Sequence, residues 1–140
     1  MQQHPAFDCL LGAIDSSLQQ LELCRAEGLS PIVRPILLRR RRARVALRAL
    51  LRWAGHPAPE PLPAASPDPT RQSLYGLRRA EQALIGLYDT ALSQTGHHTL
   101  ERALLTAQRA EAEEAYLTIT TTLQSRKSYA SGWVSQGSFA

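Results

Sequence analysis

Hydrophobic residues recur at helical spacing in four stretches of the chain, with polar residues between them. Spacings of three and four residues put such positions on one face of an α-helix. We therefore predict helices at about 6–27, 31–54, 69–95 and 99–124, with glycines at or beyond three of the helix ends. The predicted buried stripes are Phe7, Leu11, Ile14, Leu18 and Leu21 in the first helix; Ile32, Ile36, Arg39, Ala43, Ala46, Leu50 and Trp53 in the second; Leu74, Leu77, Glu81, Leu84, Tyr88 and Ala91 in the third; and Leu100, Leu104, Ala107, Glu111, Glu114 and Thr118 in the fourth, whose broader face adds Leu105, Ala112, Tyr116, Ile119 and Leu123.

The connections between the helices indicate how they are arranged. Short turns join the first helix to the second and the third to the fourth, which favours two antiparallel hairpins. The proline-rich linker 55–68 reaches about 40 Å when extended, enough to follow a helix of about 36 Å. We predict an all-α, antiparallel four-helix bundle over 1–124 with a long crossover between helices two and three. A simple up-down-up-down bundle is the alternative. Residues 125–140 are rich in Ser and Gly and are predicted to form a flexible C-terminal tail.

Positive charge is concentrated in the second predicted helix. The chain has 16 Lys and Arg against 12 Asp and Glu, and eight of the arginines lie in this helix, which has no acid. The other eight basic and all twelve acidic residues leave the rest of the chain at −4. Arg41, Arg44, Arg48 and Arg52 form a basic stripe that fits nucleic acid or an acidic protein. The alternative is an ordinary solvated face.

Three acids occupy predicted seam positions where apolar residues are expected: Glu81, Glu111 and Glu114. A buried carboxylate must be paired, bound to metal or protonated. These three residues are therefore candidate metal ligands. The alternative is that the helices are rotated slightly and the acids lie at a solvated edge.

The two hairpins, the long second connection, the Glu81-x6-Tyr88 motif and the acidic fourth helix resemble the ferritin-like superfamily, especially its small bacterial members. The resemblance covers about residues 6–124. Metal-binding members take one Glu from each of two helices and Glu-x-x-His from each of the other two. The resemblance implies that Glu81 matches the lone Glu of helix three and Glu111 the Glu of helix four, while position 114 has Glu in place of His.

Other parts of the ferritin-like ligand set are missing from the sequence. Helix two has arginines where Glu-x-x-His would be, and all four histidines, His4, His56, His97 and His98, fall in predicted termini or loops. Inward carboxylates without metal need another positive charge. We therefore predict that Arg39 or Arg42 forms an interior ion pair with Glu81, Glu111 or Glu114.

The sequence favours a non-catalytic bundle that acts by self-association, as a homo-oligomer, or by binding a partner. A carboxylate-based protein or oxidoreductase using iron or manganese is the alternative, and nucleic-acid binding through helix two is a second. No phosphate-binding loop, Cys-x-x-Cys or nucleophile elbow is present, and no cofactor is predicted. Free Cys9 and Cys24, without a signal peptide or membrane segment, predict a cytoplasmic protein with no membrane association.

Overall fold

The computed structural model describes residues 5–55, 73–96 and 99–137, with backbone alone for Glu27 and 127–137. These residues form four α-helices and no β-strand, so the all-α prediction is confirmed for this part of the chain. The helices are α1 (Pro5–Cys24), α2 (Ser30–Trp53), α3 (Leu74–Ser93) and α4 (Leu100–Gly137). Most of the predicted linker 55–68 lies outside the described residues.

A single turn of π-helix, Arg25–Leu29, connects α1 to α2. Gly28 has a φ of 93° there, in the left-handed region that suits glycine, and it interrupts the helical conformation. Pro31 follows in the first turn of α2, where its missing N–H breaks no helix hydrogen bond. Pro35 is accommodated inside the helix. The predicted boundary near Gly28 therefore matches the observed change of direction.

Side-chain caps mark the beginning of α3 and α4. The Ser73 hydroxyl accepts a hydrogen bond of 3.1 Å from the Gly76 N–H, and Thr99 does the same for the Arg102 N–H at 3.1 Å. The start predicted for helix three, at 69, lies outside the described residues.

α4 extends to Gly137, so the helix end predicted near 124 is wrong. No proline follows Pro69 in the sequence, and extending an existing helix is easier than starting one. The Ser- and Gly-rich composition of 125–140 therefore does not end the helix. Flexibility of this segment stays a prediction.

The four helices share two hydrophobic clusters. The first core cluster combines the beginning of α1 with the later parts of α2 and α3 and the beginning of α4: Ala6, Phe7, Leu10, Leu11, Ile14, Leu47, Leu51, Leu84, Tyr88, Ala91, Leu105 and Ala112. The second core cluster combines the opposite halves: Leu21, Cys24, Val33, Ile36, Leu37, Leu74, Leu77, Ala115, Ile119 and Leu123. Contacts join α1 to α2 and α3, and α4 to α2 and α3.

The observed core confirms the stripe predicted for the third helix and corrects two others. All six predicted positions of α3, including Glu81 and Tyr88, are buried. In α2 the buried residues are Val33, Ile36, Leu37, Arg40, Ala43, Leu47 and Leu51, so most of the predicted seam is one residue out of register. Trp53, predicted in that seam, is 76% exposed. In α4 none of the six predicted seam residues is buried. The core there takes four residues from the predicted broader face, Leu105, Ala112, Ile119 and Leu123, together with Gln108 and Ala115.

None of the helices within the described ranges combines the length and the apolar character needed to cross a membrane. Cys9 and Cys24 are both free thiols, as the sequence predicted.

Candidate functional site

A buried ion pair lies in the interior of the protein between α2 and α3. Arg40 is 5% exposed and Glu81 is 1% exposed. Arg40 donates from Nη1 to Glu81 Oε1 at 2.9 Å and from Nη2 to Oε2 at 2.6 Å, so the contact is bidentate. Arg40 Nη1 also donates to the hydroxyl of buried Ser17 in α1. The guanidinium therefore connects three helices.

The ion pair separates the two hydrophobic clusters. Along α2, Arg40 follows Leu37 of the second core cluster and precedes Leu47 of the first. Along α3, Glu81 lies between Leu77 and Leu84, which belong to different clusters. In α1, Ser17 likewise lies between Ile14 of the first core cluster and Leu21 of the second. The three polar residues thus form one layer across the middle of an apolar core.

A second buried network ties α3 to α4 and α2. The Tyr88 hydroxyl donates to Gln108 Oε1 at 2.9 Å, and Gln108 Nε2 donates to the Ala43 carbonyl at 2.9 Å. Burial raises the pKa of Tyr88 well above its ordinary range, and nearby Glu81 and Glu111 raise this pKa further. The positive charge of Arg40 lowers the pKa of Tyr88, but by less than burial raises it. Tyr88 is therefore a neutral hydrogen-bond donor and not a phenolate.

The free energy of unfolding is expected to fall above about pH 10 because of Tyr88. The unfolded chain releases the phenol proton near the ordinary pKa of 10.0, whereas the folded chain retains it. The contribution of Tyr88 to the free energy of unfolding is complete below that pH. Above it, this contribution declines by about 1.4 kcal/mol per pH unit. Urea unfolding between about pH 9 and pH 11 measures the slope. Tyr88→Phe should flatten it, and equal slopes in both proteins would contradict this assignment.

The interior ion pair predicted for Arg39 or Arg42 is corrected to Arg40. Arg39 does bind Glu114, with Nη1 to Oε2 at 2.8 Å, but the two side chains are 47% and 62% exposed. Arg42 is also exposed. The reason is the register of α2, which turns Arg40 inward and leaves Arg39 and Arg42 near the surface.

The three candidate metal ligands do not share one site. Both oxygens of Glu81 accept hydrogen bonds from Arg40, while Glu111 and Glu114 are exposed. Within the described ranges, no group of three or more His, Cys, Asp and Glu side chains is arranged to hold a metal ion. Glu111 and Glu114 instead line a surface groove between α2 and α4, together with Arg39 and Arg40. These residues do not fit a carboxylate-bridged metal centre, and the solvated-edge interpretation describes Glu111 and Glu114.

The basic stripe predicted on helix two is partly neutralised by α1. Arg41 bonds Glu22, and Arg44 bonds the half-buried Asp15 at 2.5 Å. Arg48 is half-buried, and Arg52 is exposed. The stripe thus contributes ion pairs to the α1–α2 interface as well as charge to the surface.

The buried roles of Ser17, Arg40 and Gln108 were not predicted from the sequence. One signal was present: Val33, Leu37, Leu47 and Leu51 have helical spacing, and Arg40 lies on the same face. Ser17 likewise lies between Ile14 and Leu21 on the stripe of α1. Gln108 had no comparable signal among the alanines of α4.

The site offers charge compensation and hydrogen bonding, and its polar groups bind one another. A bidentate guanidinium holds the central carboxylate, and the buried phenol and amide complete a second network. The comparisons with family models, with curated proteins and with solved structures find no match to this chain.

Proposed function

We propose that the chain is an antiparallel four-helix bundle with a ferritin-like crossover. The two core clusters support this topology. Both α2 and α3 proceed from the second core cluster to the first, whereas α1 and α4 proceed in the opposite direction. The end of α2 and the beginning of α3 then lie at opposite ends of the bundle. The sequence between these two helices, at about 3 Å per residue when extended, is long enough to connect opposite ends.

Within this bundle, the proposed role is non-catalytic and depends on association. The observation that carries the proposal is the bidentate Arg40–Glu81 pair at the centre of the core. In metal-binding ferritin-like proteins, inward carboxylates bind the cations on which the chemistry depends. Here the carboxylate is neutralised by the guanidinium of Arg40, a group of the protein itself. We propose that the pair sets the register of the helices. The protein then acts through its surface, by association.

Added Fe(II) or Mn(II) is expected to leave the melting temperature of the protein unchanged. Glu81 is already bound by Arg40, and exposed Glu111 and Glu114 lack a third ligand nearby among the described residues. Thermal unfolding with and without each ion, under anaerobic conditions for Fe(II), measures whether the melting temperature changes. Metal analysis of protein purified without chelator complements it.

Glu81→Gln and the double variant Glu111→Gln/Glu114→Gln serve as controls for that experiment. Bound metal in stoichiometric amount, or a rise in melting temperature that either variant abolishes, would contradict the proposal and favour the carboxylate-based metal protein.

A further inference from the structure

A surface pocket beside the turn between α1 and α2 carries an excess of positive charge. Its volume is about 400 Å³, which lies within the range of about 300–1,000 Å³ that small-molecule sites occupy. None of the described residues that line it is acidic. We call it the Arg34 pocket, and its lining residues are Arg25, Ser30, Arg34, Leu37, Leu38 and Arg41.

The helical register and the turn bring the three arginines of the Arg34 pocket together. Arg34 and Arg41 are seven residues apart, so they lie on one side of α2, two turns or about 10 Å from each other. At Gly28 the chain changes direction, and the turn places Arg25 at the same pocket. The pocket is therefore lined by arginines from both sides of the α1–α2 connection.

One carboxylate neutralises part of this charge. Glu22 of α1 accepts a hydrogen bond from Arg25 Nε at 3.0 Å and another from Nη2 of Arg41. Arg34 is exposed and forms no ion pair with a described acidic side chain. One carboxylate against three arginines leaves an excess of two positive charges among the described side chains. In the groove between α2 and α4, by contrast, two glutamates accompany the two arginines.

The donors and the charge of the Arg34 pocket suit the phosphate group of a monoester. Such a group carries a charge of about −1.5 to −2 at pH 7 and presents three strong acceptor oxygens. Guanidinium groups match the geometry of phosphate oxygens, and the half-buried Ser30 offers a hydroxyl. A phosphodiester of a nucleic acid has one negative charge, so it would leave one positive charge of the pocket uncompensated.

Leu38 gives the pocket an apolar wall. It lies between Arg34 and Arg41 on α2, and it is 43% exposed, whereas the adjacent Leu37 is 2% exposed. An inorganic anion gains nothing from exposed apolar surface. The organic group of an ester gains free energy by covering it. The combination of three arginines with an exposed leucine therefore favours an organic phosphate over a simple ion.

We propose that the Arg34 pocket binds a phosphate monoester, with the phosphate held by its three arginines and the organic group against Leu38. Glu22 stays bonded to Arg25 and Arg41 and orients both guanidinium groups. Arg34 supplies the charge that no described carboxylate neutralises. This inference goes beyond the association role proposed above and does not depend on it.

Titration of the full chain with phenyl phosphate, and separately with inorganic phosphate, tests the site. Amide chemical shifts of isotopically labelled protein give each dissociation constant, at constant ionic strength and about pH 8, where both probes are mainly dianions. Arg34→Gln should raise the dissociation constant of phenyl phosphate about 10-fold, because a charged donor is lost. The substitution strands no described carboxylate, and circular dichroism checks that the variant folds.

Arg42→Gln is the matched control, because Arg42 is an exposed arginine of α2 outside the Arg34 pocket. It should change the dissociation constant by about 2-fold or less. Leu38→Ala tests the apolar wall. It should weaken the binding of phenyl phosphate about 5-fold and leave that of inorganic phosphate unchanged.

Three results would overturn the proposal. The first is an absence of saturable binding of phenyl phosphate to the wild-type protein. The second is equal weakening by Arg34→Gln and Arg42→Gln, which would show a general attraction of anions to α2. The third is an oligothymidylate without terminal phosphate that binds through Arg34 more tightly than phenyl phosphate, since the pocket would then contact a nucleic-acid backbone.

Discussion

Replacing Arg40 with methionine is expected to lower the free energy of unfolding by about 3–5 kcal/mol. Methionine keeps an unbranched apolar side chain, although a shorter one, and the substitution leaves Glu81, which is 1% exposed, without its bidentate partner. A carboxylate stranded in an apolar interior carries an uncompensated desolvation cost of this size. Urea unfolding followed by circular dichroism measures the change at neutral pH.

Arg39→Met is the matched control for this prediction. Arg39 occupies the neighbouring position and also binds a glutamate, but its pair with Glu114 is exposed to solvent. Exposed ion pairs contribute about 1 kcal/mol or less. Equal losses in the two variants would show that burial of the Arg40 pair has no special energetic consequence.

The second large effect is expected at Leu37, whose replacement by alanine should lower the free energy of unfolding by about 2–5 kcal/mol. Leu37 is 2% exposed and belongs to the second core cluster, whereas the adjacent Leu38 is 43% exposed. Leu38→Ala should therefore change stability by about 0.5 kcal/mol or less.

Both leucine variants should be compared at low protein concentration, so that any self-association does not contribute. A larger loss at Leu38 than at Leu37 would contradict the observed register of α2. It would indicate that Leu38, and not Leu37, faces the core.

The register of α3 was predictable because the stripe one residue further on, through Tyr75 and Ile85, is interrupted by polar residues at 78, 82 and 89. Leu74, Leu77, Leu84, Tyr88 and Ala91 share a stripe, and Glu81 continues it at the same spacing. A charged residue on an otherwise unambiguous stripe is informative, since burial can be inferred before its partner is known. For this reason the burial of Glu81 was accessible from the sequence.

The register of α2 was not predictable to the same degree because its apolar residues come in adjacent pairs. Leu37 with Leu38 and Leu50 with Leu51 support two faces about 100° apart. Four consecutive arginines, 39–42, then place an arginine on either face. Periodicity alone cannot decide which guanidinium has a buried carboxylate opposite it, since that contact is made across helices.

In α4 the difficulty is the abundance of alanine, which suits buried and exposed positions alike. Glu111 and Glu114 share one spacing with Leu100 and Leu104, and this led to a predicted seam that contained acids. The observed core passes through Ala112, which the predicted broader face included, and Ala115, which it did not, and this turns both carboxylates outward. Burial of Gln108 depends on its two partners, Tyr88 and the Ala43 carbonyl, and both lie on other helices.

The most direct test of a structural role for the central pair is a double-mutant cycle between Arg40 and Glu81. The four proteins are the wild type, Arg40→Met, Glu81→Leu and the double variant, each unfolded in urea. We predict that each single substitution costs about 3–5 kcal/mol and that the double variant recovers most of that loss, because no charge is left buried. Additive losses, with the double variant less stable than either single one, would contradict the account.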